Sequence, residues 1–182
     1  RILRWAARGE SRYVCCANVH VIMEAQDSPR FAQVLRDAAL VTPDGMPLVW
    51  FARALGSPQA RVYGPDLMLH VCEAAARDQV AIGLLGGDER TLDELAQRLA
   101  VRFPALRVVY RHAPPFRPLT VEEDARIVDD CAQAGVRVLF VGLGCPKQEL
   151  WMAEHLGRID AVMLGVGAAF AFHAGKVAQA PA

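Results

Sequence analysis

Asp44 occupies a setting that asks for a chemical explanation. It lies in ALVTPDGMPLVW, residues 39–50, which would be one apolar run without Pro43, Asp44 and Gly45. A carboxylate beside a core costs free energy unless it is solvated, paired or used. As a turn, Pro sets φ, Asp bonds its own backbone and Gly relaxes the exit. As chemistry, the same corner holds a base at the edge of a cleft.

A second stretch, GLGCPKQE (142–149), places Gly144, Lys147, Gln148 and Glu149 where an apolar run gives way to a helix. Glycine lets backbone N–H groups approach an anion, and a helix N-terminus adds roughly half a positive charge, so a diphosphate is the natural ligand. The bland alternative is a solvated first turn in which Glu149 answers the dipole. A third stretch, LLGGDE (84–89), offers Gly87; alone it reads as a tight strand-to-helix turn.

The elements that must position these groups alternate. YVCCANV (13–19) reads as a buried strand. Ser28 and Pro29 open a helix carrying Phe31, Val34, Leu35 and Ala38. Leu40 to Thr42 is a short strand, 46–55 an apolar helix, and 64–78 a helix with Asp66 in its first turn. VAIGLLGG (80–87) and VRVLFVGLG (136–144) are continuous apolar runs, as expected of strands covered on both faces. Asp88 caps a helix with Leu92, Leu95, Leu99 and Phe103, and LRVVYRH (106–112) is the next strand. Thr120 and Glu123 form a capping box for a helix over 121–134, ended by Gly135. Pro146 opens another helix, and AVMLGVGAAF (161–170) closes the series. The pattern predicts an α/β, Rossmann-like fold with a mainly parallel sheet and helices on both faces, in a single domain over 1–182. Strand order is not readable.

Ligands of such sheets bind beyond the carboxyl ends of the strands. That rule gathers Asn18 and His20, Asp44, the Gly86-Gly87 turn and residues 142–149 at one rim. Trp50 and Trp151 are expected in the core, Asp66 at a helix start, and His173 in a structural role.

Composition narrows the classes. Twenty basic and twenty acidic residues leave no net charge to steer the chain toward nucleic acid. The five cysteines form no C-x-x-C pair and the five histidines no zinc-spaced cluster, so a reducing compartment and no metal site are expected. No apolar stretch is long enough to span a bilayer, and no signal peptide is evident. The sequence has no initiator Met, and its end, KVAQAPA, has no cap, so a longer native chain is expected. A dinucleotide fingerprint would need Gly where Lys147 stands, and no P-loop, G-x-S-x-G elbow or D-x-D motif occurs.

In order, N-V-H (18–20), TPDGMPLVW (42–50), RVYGPDL (61–67), LLGG (84–87), PPF (114–116), VGLGCPKQE (141–149) and GVGAAFAFHAG (165–175) resemble the WecG/TagA/CpsF family of bacterial glycosyltransferases. The resemblance implies transfer of N-acetylmannosamine or a related sugar from a UDP donor to undecaprenyl-diphosphate-linked N-acetylglucosamine, in teichoic acid or cell-surface polysaccharide synthesis. It implies inversion, independence of metal and no cofactor, UDP-sugar being a substrate. It makes Asp44 the base and Asn18, Arg61, Gly64 and Gln148 substrate-binding residues. Cys16 stands where the family often has Thr, and Ala171 where it can have a carboxylate. The family continues past an Ala-Pro near residue 181 into an Arg- and aromatic-rich appendage tied to membrane attachment and to completing the site. The resemblance therefore implies a chain truncated at its C-terminus, working at the cytoplasmic face of the cell membrane. The apolar end left by the missing tail leaves self-association open. The competing reading is a non-catalytic module that binds a nucleotide-sugar or polyprenyl diphosphate and needs no base.

Overall fold

Apolar runs without alternation demand cover on both faces, and they form the middle of the sheet. The computed structural model describes residues 1–177, and in it six strands pair in parallel. In chain order these are β1 (Arg12–Ala17), β2 (Leu40–Pro43), β3 (Ala81–Gly86), β4 (Arg107–His112), β5 (Val138–Gly142) and β6 (Val162–Gly165). Their spatial order is β2-β1-β6-β5-β3-β4. The most apolar strands are therefore internal, and the more polar β2 and β4 take the edges.

The helices are α1 (Ile2–Ala7), α2 (Val19–Asp27), α3 (Pro29–Asp37), α4 (Met46–Ala54), α5 (Gly64–Arg77), α6 (Glu89–Arg102), α7 (Val121–Gln133), α8 (Lys147–Glu154) and α9 (Ala169–His173). Successive strand residues point to opposite faces, and the two cores show it. Val138 and Phe140 join Leu92, Leu95 and Phe170 on one side, while Leu139 and Val141 join Ile127, Trp151 and Met152 on the other. The caps read from the sequence form: Ser28 Oγ accepts from the Phe31 N–H at 3.2 Å, Asp88 Oδ1 from Thr91 at 2.7 Å, and Thr120 and Glu123 make the reciprocal box. The α/β, Rossmann-like expectation holds, with every strand pair parallel.

Three expectations need correction. Residues 19–27 form a helix that the sequence did not announce, because the apolar run of β1 reads on through Val19, although β1 stops at Ala17 and only Val21 of α2 is buried. Segment 161–170 is two elements: β6 ends at Gly165, Gly167 turns with φ +53, and α9 begins at Ala169. Trp50 is 61% exposed on α4 rather than core, whereas Trp151 is buried as expected. From residue 178 onward the expected uncapped end and the Ala-Pro lie outside the described residues. Among the described residues no helix is long and apolar enough to cross a membrane.

Candidate active site

A cavity of about 420 Å³ opens where the carboxyl ends of β1, β2, β5 and β6 converge. Its size suits a small-molecule ligand. Asn18 and His20 enter from the end of β1, Asp44 from β2, Gly144, Cys145 and Gln148 from the β5–α8 turn, and Gly165 to Ala169 from β6. Tyr63 and Phe172 complete the wall.

The Asp44 corner is tied on both sides. Its own N–H donates to the Ala17 carbonyl at 2.7 Å, and the Val62 N–H donates to the Pro43 carbonyl at 2.9 Å. The carboxyl is thereby wedged against the start of α5, where a Cβ on Gly64 would stand 3.3 Å from Asp44 Oδ2 and 3.6 Å from the Cys16 thiol. Oδ1 is buried without a hydrogen-bond partner among the described residues. A turn-forming Asp would spend this oxygen on its own backbone; here it is spare, on a residue that lines the cavity. Burial pushes the carboxyl up from 3.8 to about 6, against the pull of the Gly64 N–H and the Arg61 guanidinium, with Asp66 adding to the rise. Cys16 and Gly64 crowd the carboxyl, while Trp50 turns to solvent.

Asn18 caps α2, its Oδ1 accepting from the Val21 N–H at 3.1 Å, which leaves the amide NH₂ as the side chain's donor beside the cavity. Cys16 is 7% exposed on the wall, and burial holds its thiol up at about 12. It is a neutral lining group where a hydroxyl would be a better hydrogen-bonding partner. Gln148 is held by the backbone opposite, its Oε1 accepting from the Gly167 N–H at 3.1 Å.

Other sequence-derived candidates fall elsewhere. Arg61 does not line the cavity; its guanidinium stacks over the Tyr63 ring at 4.4 Å, at the rim. Gly64 lies behind the wall, pressed on Asp44 and Cys16. Lys147 opens onto a separate groove with Leu119, Leu150 and Trp151. Glu149 is wholly buried, so the solvated first turn is wrong for it. Gly87 is outside the lining too. Its neighbour Gly86, at φ +126, lies so close to the Gly142 carbonyl that a Cβ would collide with it. Asp88 serves the same turn, bonded to Thr91 and to Lys176 Nζ at 3.1 Å. Two glycines therefore serve strand-to-helix packing.

His173 meets the Pro65 carbonyl at 2.9 Å, the structural role expected of it, and His20 faces the cavity with Glu24 4.0 Å away. Tyr63, Gly165 to Ala169 and Phe172 were missed as lining groups. The rule of carboxyl strand ends reaches the β6 segment once β6 is seen to stop at Gly165; Tyr63 had no signal beyond its place between Arg61 and Gly64.

The description "Glycosyl transferase WecG/TagA/CpsF family" matches residues 1–182. An N-acetylglucosaminyldiphosphoundecaprenol N-acetyl-beta-D-mannosaminyltransferase of Bacillus spizizenii is 26% identical over 176 residues, 96% of this chain and 66% of the relative. The Staphylococcus aureus protein of the same name is 26% identical over 171 residues, 93% of this chain and 65% of the relative. The chain thus spans just under two thirds of the length of these relatives. With the family pattern running through every segment that builds the cavity, the chain belongs to the WecG/TagA/CpsF family of glycosyl transferases.

Proposed function

We propose that the protein transfers N-acetylmannosamine or a related sugar from a UDP donor to an undecaprenyl-diphosphate-linked N-acetylglucosamine, with inversion and without metal. The observation that carries this reading is Asp44, a lining residue of the cavity whose Oδ1 is buried without a partner among the described residues. In a direct displacement Asp44 takes the proton from the acceptor hydroxyl as that oxygen attacks the anomeric carbon. The sugar–phosphate bond breaks on the opposite side and its electrons leave with UDP. A general base works best with a pKa near the operating pH, and an Asp raised to about 6 is a stronger proton acceptor than an ordinary one while still largely ionised at neutrality.

The leaving diphosphate gains negative charge as the bond breaks. In this reading the Gly144 turn, the Gln148 amide and the positive end of α8, which adjoin the cavity, take it up. Arg61 at the rim adds a cation and also tempers the pKa of Asp44. A lipid-linked acceptor places the work at a membrane surface, and we assign it to the inner face, where UDP-sugars are made. No nucleic acid partner is proposed.

The test is transfer of labelled sugar from a panel of UDP-sugars to a short-chain polyprenyl-diphosphate N-acetylglucosamine, with and without EDTA. EDTA-insensitive transfer from UDP-N-acetylmannosamine or a near relative is expected. Tight UDP-sugar binding with no transfer to any such acceptor would favour a binding module instead.

A further inference from the structure

Glu149 is wholly buried, yet it stands beside a cavity that it does not line. Its Oε1 accepts from Gln148 Nε2 at 2.8 Å, and its Oε2 has no partner among the described residues. A buried carboxyl left half-satisfied is a cost to the fold, so its retention calls for a use. Burial raises its affinity for a proton, the Gln148 amide opposing.

The geometry around Gln148 shows that use. The Gly167 N–H can only donate, so the group facing it must be the amide oxygen. That fixes Nε2 on the other side, where Glu149 Oε1 accepts one of its two N–H bonds. The second N–H has no partner among the described residues, and Gln148 lines the cavity although it is only 4% exposed. Space for the amide comes from Gly165, whose Cβ would stand 3.2 Å from Nε2 and 2.8 Å from the Met152 methyl. An amide clamped at both ends needs no reorganisation when a ligand arrives, which is how a buried donor gains strength.

We propose that Glu149 is a positioning residue: together with the Gly167 N–H it locks the Gln148 side-chain amide so that its remaining N–H is presented to the diphosphate of the nucleotide donor. The inference deepens the proposed function and rests on reading the cavity as a nucleotide-diphosphate site. Glu149 touches no substrate. It acts through Gln148, and what it supplies is an acceptor at a fixed distance rather than a charge.

The test is calorimetric titration of UDP into the parent chain, Glu149→Gln, Glu149→Asp, Gln148→Leu and the double variant Gln148→Leu/Glu149→Asp. Glu149→Gln keeps an acceptor oxygen in place and is expected to bind UDP within about threefold of the parent. Glu149→Asp withdraws the oxygen by about one C–C bond, ~1.5 Å, and is expected to weaken UDP about tenfold, the scale of one lost hydrogen bond. The double variant is expected to bind no worse than Gln148→Leu alone, because the two residues act as one unit. A Glu149 that merely supports the fold would shift the melting temperature without this coupling. Parent-like UDP affinity in Glu149→Asp, or a double variant whose loss is the product of the single losses, overturns the proposal. Should Glu149→Asp fail to fold, Glu149→Leu, which keeps the bulk and removes the acceptor, replaces it: UDP binding about tenfold weaker upholds the proposal and parent-like binding overturns it. A parent chain that does not bind UDP removes the underlying reading as well, so the two failures are distinguishable.

Discussion

Lowering the pH separates a tuned base at Asp44 from an ordinary turn aspartate. The carboxyl titrates at about 6 against 3.8 for a free one. At pH 5 a free carboxyl would be about 94% ionised and one at 6 about 9%, so kcat/KM at pH 5 is expected to be about a tenth of its plateau and to fall about tenfold per unit below that. The same shift acts on stability. The folded chain holds this proton to higher pH than the unfolded chain, so between about pH 4 and 6 stability falls as pH rises. The full shift corresponds to about 3 kcal/mol, which we discount to about 1 kcal/mol because the group is partly open to water. Asp44→Asn, neutral at every pH, is therefore expected to melt about 2–4 °C above the parent at pH 8 and level with it below pH 4. Two assays check this: carbon-detected NMR of the Asp44 carboxyl, and the pH profile of sugar transfer. A carboxyl titrating near 4, or kcat/KM flat down to pH 5, would refute the reasoning.

The neighbours of Asp44 give a paired expectation. Arg61→Gln should move the acid limb of the profile to higher pH and Asp66→Asn to lower pH, since the first charge lowers the Asp44 pKa and the second raises it; shifts in the same direction would contradict the assignment. Asp124→Ala removes a carboxylate that joins His155 at 2.9 Å, Trp151 at 3.3 Å and Arg158 at 3.0 Å between α7 and α8. It should cost about 1–3 kcal/mol by taking the carboxylate partner from Nε2 of the buried His155, whose Nδ1 keeps the Trp151 carbonyl at 2.7 Å, yet leave UDP affinity unchanged by calorimetry. Gly86→Ala should destabilise by more than about 2 kcal/mol in urea melts, because its Cβ meets backbone at a positive φ. Trp50→Ser, on an exposed face of α4, should change stability by less than about 0.5 kcal/mol.

The fold was legible because its determinants are local. Runs such as VAIGLLGG and VRVLFVGLG announce buried parallel strands, and Ser28-Pro29, Asp88 and Thr120-Glu123 mark helix starts whose bonds form as read. Strand order depends on which crossovers pack, and nothing local encodes it. The helix α2 was illegible for a physical reason. It has a capping Asn18, but its apolar start continues the run of β1, and Val19, Ile22 and Met23 stay exposed while only Val21 is buried, so no core-facing stripe marks it.

The site was legible where a residue type conflicted with its surroundings. Asp44 inside an apolar run is such a conflict, and it lies on the cavity wall. Gly87 and Lys147 only shared a motif with the site and were placed elsewhere by the packing of the turns. Glu149 misled because polar residues at a helix start are usually solvated. Here α8 exposes Lys147 but buries Gln148 and Glu149, and Gln148 meets the Gly167 N–H just past the end of β6.

The central claim is that Asp44 removes the acceptor proton, and the most direct measurement is turnover of Asp44→Asn beside its UDP-sugar affinity. The account expects kcat to fall by about 10²–10⁴-fold, the share of a general base, with donor affinity within about twofold of the parent. Unchanged turnover in that variant would contradict it.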